Sequence, residues 1–418
     1  MGMQWPARLA VAALCIVLPG CTLSRPQYAA PDVQVGESAF VRAMEAHTMS
    51  GLVDGNRAEV LVNGEQIFPA MLAAIRSART TITFANFVYE DGEIAREMAE
   101  ALAERCRAGV GVNVLVDAIG SNKMPKPLRK MLSASGCHFA RYHSVNPFAL
   151  KRFNHRNHRR ILVVDGRIGF TGGTGVGDKW TGDGRQPGHW RQTDVRVEGP
   201  IVRFLQAAFA ENWRDTTGIL LTGDAYFPEP ERRGALAIQS VKSSPASGAA
   251  EAYLLFLLAI DAARSSIKLT NPYFVPDARM AQALVDAARR GVEVNIITAG
   301  AVGSTLDRLV RKASQAHFGR ALEAGVKIHE YGPAMLHAKT MVVDDQWVSI
   351  GSANLDNRSF AINNELNVTF LDRGLARRLA GIFEEDLKYT TPVTREDWAR
   401  HRLGYLFYLP LVPLRDQL

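Results

Sequence analysis

The apolar positions of this chain switch repeatedly between two periods, and each switch marks an element. From Phe68 to Ala78 apolar residues recur at helical spacing, and Thr80 to Val88 then reads as a buried strand of β-branched and aromatic residues. Ile94 to Arg107 is again helical and ends at Gly109; Val110 to Val116 is a strand, Leu128 to Ser135 a helix closed by Gly136, and His138 to Tyr142 a strand. The same order returns downstream. Helix Ala249 to Arg264, strand Ile267 to Thr270, helix Ala278 to Arg290, strand Val292 to Thr298, helix Leu306 to Ala324 and strand Val326 to Glu330 follow one another. Such alternation predicts an α/β fold whose sheets are mixed, mostly parallel and flanked by helices.

The two series are one series used twice. Asn86 to Asn271 is 185 residues, Gly109 to Gly291 is 182 and His158 to His337 is 179, a drift too small for chance, so two fused repeats are expected. The first is placed at 56–215 and the second at 249–390. Between them, 216–248 reads as a linker, with Gly218, Gly223, Pro228, Pro230 and Gly234. Residues 391–418 differ from both repeats. There Arg400, His401 and Arg402 stand beside Tyr405, Leu406, Phe407, Tyr408 and Leu409, an amphipathic tail suited to a membrane interface or to packing on the core.

Composition narrows the class. A chain of 418 residues that is 47% hydrophobic can bury an ordinary core, and a net charge of +7 favours an anionic partner, whether phospholipid surface, phosphate substrate or nucleic acid. Residues 1–20 carry one charge, Arg8, then an apolar run from Leu9 to Leu18, too short to span a membrane comfortably, and read as a signal peptide. The following Pro19-Gly20-Cys21 resembles the lipobox of bacterial lipoproteins, which makes Cys21 the expected lipidation site and 21–55 a tether. The expected location is the bacterial cell envelope, as a membrane-anchored lipoprotein facing the periplasm. In that oxidising compartment Cys106 and Cys137 can form a disulfide or remain two unconnected thiols.

The candidate chemistry is duplicated as well. His158-Arg159-Arg160-Ile161-Leu162-Val163-Val164-Asp165 and His337-Ala338-Lys339-Thr340-Met341-Val342-Val343-Asp344 share a histidine, a base two places on and an aspartate, with glycine turns at Gly172 and Gly351. Alternation along a strand puts each histidine and its base on one face, while Asp165 and Asp344, of opposite parity, suit structural contacts at the strand end. Two matched imidazoles fit a two-step phosphoryl transfer, in which one attacks and the other protonates the leaving oxygen. Asp194 and Glu365, each at the start of a strand, are the expected pair of carboxylates holding the far ring nitrogens; the alternative is surface salt bridging. No metal site or cofactor is expected, since His155 and His158 lie in a loop-to-strand stretch without a cysteine or carboxylate partner nearby.

These motifs resemble the phospholipase D superfamily, whose signature is H-x-K-x4-D in two copies, over about Ile67 to Leu371. Within it, Asn271-Pro272-Tyr273-Phe274-Val275-Pro276, Asn154-His155-Arg156-Asn157-His158-Arg159 and Trp190-Arg191 look most like bacterial cardiolipin synthases. The resemblance implies the phospholipase D fold with its active site at the repeat interface. It also implies a phosphatidyl transfer that joins two phosphatidylglycerol molecules through a phosphohistidine. His158 would be the nucleophile and His337 the acid and then base, or the reverse, with Arg160, Lys339 and Asn354 on the phosphoryl oxygens. Two departures stand in the first copy: Arg160 replaces lysine, and Gly175 stands where the second copy has Asn354. The competing expectations are hydrolysis to phosphatidic acid, a catalytically weak phospholipid-binding protein, and a nuclease. The apolar leader and tail count against nucleic acid and for a membrane surface.

Overall fold

The computed structural model describes residues 32–144, 154–244, 250–303 and 305–406; the leader with Cys21 and the last residues of the tail lie outside them. The first half contributes β1 (Val53–Val62), β2 (Thr81–Asn86), β3 (Gly111–Asp117), β4 (His138–Tyr142), β5 (Ile161–Val164), β6 (Ile168–Gly172) and β7 (Thr193–Glu198). β8 (Leu236–Ser243) opens the second half. It is followed by β9 (Ser266–Thr270), β10 (Phe274–Val275), β11 (Glu293–Ala299), β12 (Lys327–Tyr331), β13 (Thr340–Val343), β14 (Trp347–Gly351), β15 (Leu355–Asp356), β16 (Glu365–Leu371) and β17 (Thr390–Pro392).

One continuous sheet runs in the order β17-β12-β11-β9-β13-β14-β16-β8-β1-β7-β6-β5-β2-β3-β4. Read outward from the β8–β1 seam, the two sides match strand for strand: β1 with β8, β7 with β16, β6 with β14, β5 with β13, β2 with β9, β3 with β11 and β4 with β12. The internal duplication is therefore a pseudo-twofold arrangement of two like half-sheets. Each is mixed, with a smaller parallel share than the alternation suggests. β2, β3 and β4 run parallel through helical crossovers, while β5, β6, β7 and β1 pair antiparallel. The cause is local. Asp165-Gly166 and Asp344-Asp345 close tight hairpins with positive φ, and a hairpin reverses the chain where a crossover helix would not.

Two other expectations change, and one open alternative is narrowed. The joining stretch 216–248 is not only loop, because β8 lies in it and pairs with both β1 and β16. The helix expected over Leu306–Ala324 is two helices, Thr305–Ala316 and Phe318–Glu323. The start of the tail, in helix Arg395–Leu406, is held to the core: the Trp398 indole donates to the Gln315 carbonyl at 2.8 Å.

The core lies on both faces of the sheet. Helices Asn63–Ser77 and Glu93–Arg107 cover the first half with Ile67, Ile75, Met98 and Leu102, and Glu251–Ala262 and Ala278–Arg289 cover the second with Leu255, Ile260 and Leu284. A shared cluster joins the halves through Val195, Val197, Phe209, Ile350, Leu366 and Val368. Asp165 and Asp344 anchor the strand ends remote from the histidines. Asp165 accepts from the backbone N–H groups of Arg79, Thr80 and Thr81, and Asp344 from those of Arg264, Ser265 and Ser266. Cys106, near the end of helix Glu93–Arg107, is bonded to Cys137 ahead of β4.

That disulfide closes a loop of 31 residues. Replacing both cysteines by serine should lower unfolding free energy by about 3–4 kcal/mol through the lost loop constraint, read from urea denaturation with the slope fitted separately for each protein. An unchanged midpoint would show that the bond does not constrain the unfolded chain.

Candidate active site

The site forms where the two halves exchange backbone hydrogen bonds. The His158 N–H donates to the Asn364 carbonyl at 3.0 Å, and the His337 N–H donates to the Arg191 carbonyl at 2.8 Å. Each histidine is thus fixed at its main chain by the other repeat. The side chains repeat the exchange. His158 Nδ1 lies 2.8 and 3.0 Å from the two carboxylate oxygens of Glu365, which is fully buried and also accepts from the Ser352 hydroxyl.

For His337 the partner is Gln192, not Asp194. Trp180 Nε1 stands 3.0 Å from the Gln192 side-chain amide, and an indole N–H can only donate, so the amide oxygen faces it and also accepts from His337 Nδ1 at 2.9 Å. Asp194 turns to the Gly172 turn, accepting from the Gly173 N–H and the Thr174 hydroxyl, both at 2.9 Å. The pseudo-twofold explains the difference. β6 pairs Gly172 with Asp194 as β14 pairs Gly351 with Asn367, so Asp194 corresponds to Asn367 and Gln192 to Glu365. A pairing of Asp194 with Glu365 is one pleat out of register, on the correct face but two residues along the strand. Gln192 escapes a search for carboxylates. Its signal is its position directly after Arg191, as Glu365 directly follows Asn364.

With Nδ1–H committed to Glu365, His158 is the tautomer whose Nε2 carries the lone pair; the Gln192 oxygen favours the same form of His337, whose Nδ1 also lies 3.2 Å from Lys339 Nζ. The bases take one posture in both copies: Arg160 Nη1 donates to the His158 carbonyl at 2.6 Å and Lys339 Nζ to the His337 carbonyl at 2.7 Å. Burial holds both imidazoles well below the ordinary histidine range, and Arg160 and Lys339 push each of them further down. Each base therefore acts on the other copy's histidine, and His158 acts on His337, so the two motifs are electrostatic neighbours. Desolvation also lowers the cations themselves, Arg160 to about 10 and Lys339 well below the usual lysine range. Burial raises Asp194 to about 6, against hydrogen bonds from Thr174 and Gly173. Among the described residues Arg160 Nε is buried with no hydrogen-bond partner, as a donor awaiting a bound anion would be.

Comparison with known proteins agrees with this geometry. Residues 71–181 and 256–387 match the family model described as "Cardiolipin synthase, PLD-like domain". Cardiolipin synthase A of Pseudomonas putida is 36% identical over 377 residues, which cover 88% of this chain and 76% of that protein. Cardiolipin synthase 2 of Staphylococcus epidermidis is 33% identical over 356 residues, 84% of this chain and 72% of that protein. The chain belongs to the phospholipase D superfamily and is cardiolipin synthase-like. Among solved structures, the phosphatidylserine synthase of Haemophilus influenzae overlays with a TM-score of 0.66 at 12% identity, covering 90% of this chain and 99% of that one, a likeness of fold.

The departures from the superfamily signature now have physical readings. Arg160 occupies the lysine position in the same posture as Lys339, so the positive charge is retained there. Gly175 is enforced by packing. A Cβ there would come within 2.7 Å of the Trp180 ring, the ring that fixes the Gln192 amide behind His337. The first repeat thus has an indole where the second has the Asn354 side chain. Gly175→Asn, which gives the first copy the residue of the second, should therefore destabilise the protein by about 1–3 kcal/mol through overpacking. It should also lower activity, as read by thermal unfolding beside an activity assay. A neutral or activating outcome would mean that Trp180 yields.

Proposed function

We propose that this chain is a phosphatidyltransferase that joins two phosphatidylglycerol molecules into cardiolipin and releases glycerol. The observation that carries the reading is the pair of buried, neutral imidazoles, one from each repeat, each oriented through Nδ1 and sharing a pocket with Arg160 and Lys339. Relatives at 33–37% identity that bear the name cardiolipin synthase support the choice of substrate.

The unequal orienting groups favour one division of labour. Attack by His158 Nε2 on phosphorus makes a P–N bond and leaves positive charge on the ring, which the Glu365 carboxylate on Nδ1 stabilises directly. His337, backed by the neutral Gln192 amide, gives its proton to the departing glycerol oxygen as the P–O bond breaks. In the second half-reaction His337 takes a proton from the hydroxyl of the acceptor phosphatidylglycerol, that oxygen attacks phosphorus, and the P–N bond breaks to free His158. At rest both rings are neutral. Arrival of the phosphodiester anion offsets the positive field of Arg160 and Lys339, which allows His337 to hold the proton it must donate. Arg160, Lys339 and Asn354 surround the phosphoryl oxygens as charge builds on them.

Purified protein given phosphatidylglycerol in detergent micelles should yield cardiolipin and glycerol by mass spectrometry. His337→Ala should turn over poorly, and the phosphatidyl adduct trapped by acid quench of the native protein should map to His158. Phosphatidic acid as sole product would refute the synthase reading, and an adduct on His337 in a His158→Ala variant would reverse the roles.

We further propose that the chain is a lipoprotein anchored at Cys21 with its catalytic body on the periplasmic side of the bacterial envelope. The lipobox-like Pro19-Gly20-Cys21 and the Cys106–Cys137 disulfide, a bond that persists in oxidising compartments, support this. Labelled palmitate should enter the native chain in cells and not the Cys21→Ser variant. Equal labelling of both would exclude acylation at this cysteine.

A further inference from the structure

Beside His337 stands an aromatic box that is already filled. Trp180 and Trp190 meet at an interplanar angle of 59° with ring centroids 4.8 Å apart, and the Trp190 ring lies 5.2 Å from the His337 imidazole. The ammonium of Lys179 sits over both indoles, 4.4 Å from the Trp180 centroid and 4.5 Å from that of Trp190. Two links hold it there. Its Nζ pairs with a Glu90 carboxylate oxygen at 3.0 Å, and the Lys179 carbonyl accepts from the Trp190 backbone N–H at 2.6 Å, which joins the two residues through their main chains. The Lys179 side chain retains 29% of its exposure, so the box opens to solvent and is not a sealed piece of core.

A pair of indole faces is the surroundings that a quaternary or primary ammonium seeks, because the ring quadrupoles attract positive charge. His337 is the group that protonates the departing alcohol, so the space beside it is where the head group of the lipid lies. We infer that Lys179 fills, from within the chain, the aromatic box in which a cationic head group would otherwise bind, and so selects phospholipids with an uncharged polyhydroxyl head group over choline and ethanolamine lipids. The inference rests on the phosphatidyl-transfer reading and adds to it the basis of head-group choice. Exclusion works in two ways. The box is occupied, and the occupant repels a second cation brought beside it. An ammonium with donors to spare beyond Glu90 can instead offer hydrogen bonds to hydroxyl groups.

The test uses the full chain and mixed micelles holding equal amounts of phosphatidylglycerol, phosphatidylethanolamine and phosphatidylcholine, with released glycerol, ethanolamine and choline measured together. The native protein should release glycerol in large excess. Lys179→Met, which keeps the length of the side chain and removes its charge, should lower the glycerol-to-choline ratio by about ten-fold, the scale of one desolvated cation–π contact. Lys179→Arg should keep the native ratio. A second measurement does not depend on turnover: tetramethylammonium chloride should perturb the tryptophan fluorescence of Lys179→Met at concentrations that leave the native protein unchanged. Circular dichroism checks that each variant is folded.

A folded Lys179→Met protein that still turns over phosphatidylglycerol with the native ratio, or native protein that releases choline as readily as glycerol, overturns the assignment. Native protein that turns over none of the three lipids refutes the phosphatidyl-transfer reading itself, and the head-group assignment falls with it.

Discussion

Everything at the centre of this protein depends on hydrogen bonds exchanged across the seam between its repeats. Neither histidine is held by its own half alone. The Asn364 carbonyl and the Glu365 carboxylate, consecutive on one chain segment, take the main chain and ring of His158; the Arg191 carbonyl and the Gln192 amide do the same for His337. The surroundings reinforce both contacts. Buried Arg191 makes two 2.8 Å bonds to Asp386, which fixes the segment behind His337. Arg159, also buried, donates to the Glu365 carbonyl and to Asn212, while Asn212 bonds Asn157. Such fully paired interior cations cost less than lone ones and leave the segments little freedom to tilt.

The electrostatics follow from the same enclosure. Arg160 and Lys339 are brought out of water into a pocket whose carboxylates are each already engaged, Glu365 with His158 and Ser352, and Asp194 with Gly173 and Thr174. The positive charge is therefore incompletely balanced until an anion enters, and it is this imbalance, with burial, that keeps both imidazoles unprotonated. The architecture thus stores affinity for a phosphodiester as depressed basicity of its own side chains.

Much of this was legible in the residues. The repeat spacing, the alternating helices and strands, the two histidines and the structural place of Asp165 and Asp344 all follow from periodicity and parity, which are local properties of a chain. What was not legible is non-local. The repeat placed Asp194 at the start of β7 as Glu365 starts β16, but only the pairing of Gly172 with Asp194 and of Gly351 with Asn367 shows that Gln192 is the residue matched to Glu365. A glutamine gives no charge signal to search for. β8 was hidden among glycines and prolines because the strand lies at the end of a loop-rich stretch, and its identity comes from pairing with β1 and β16. Gly175 read as a lost asparagine, and only the position of Trp180 shows it to be a packing requirement.

The crossed arrangement has a consequence for how the two copies could drift apart. A change at position 365 alters the basicity of an imidazole some two hundred positions upstream, and a change at 192 alters one far downstream, while the copy in which each change occurs keeps its own ring environment. Duplication here therefore did more than supply two identical tools. It let each ancestral half become the tuning element of its sibling, so that nucleophile and proton carrier could diverge in character without either histidine motif being rewritten.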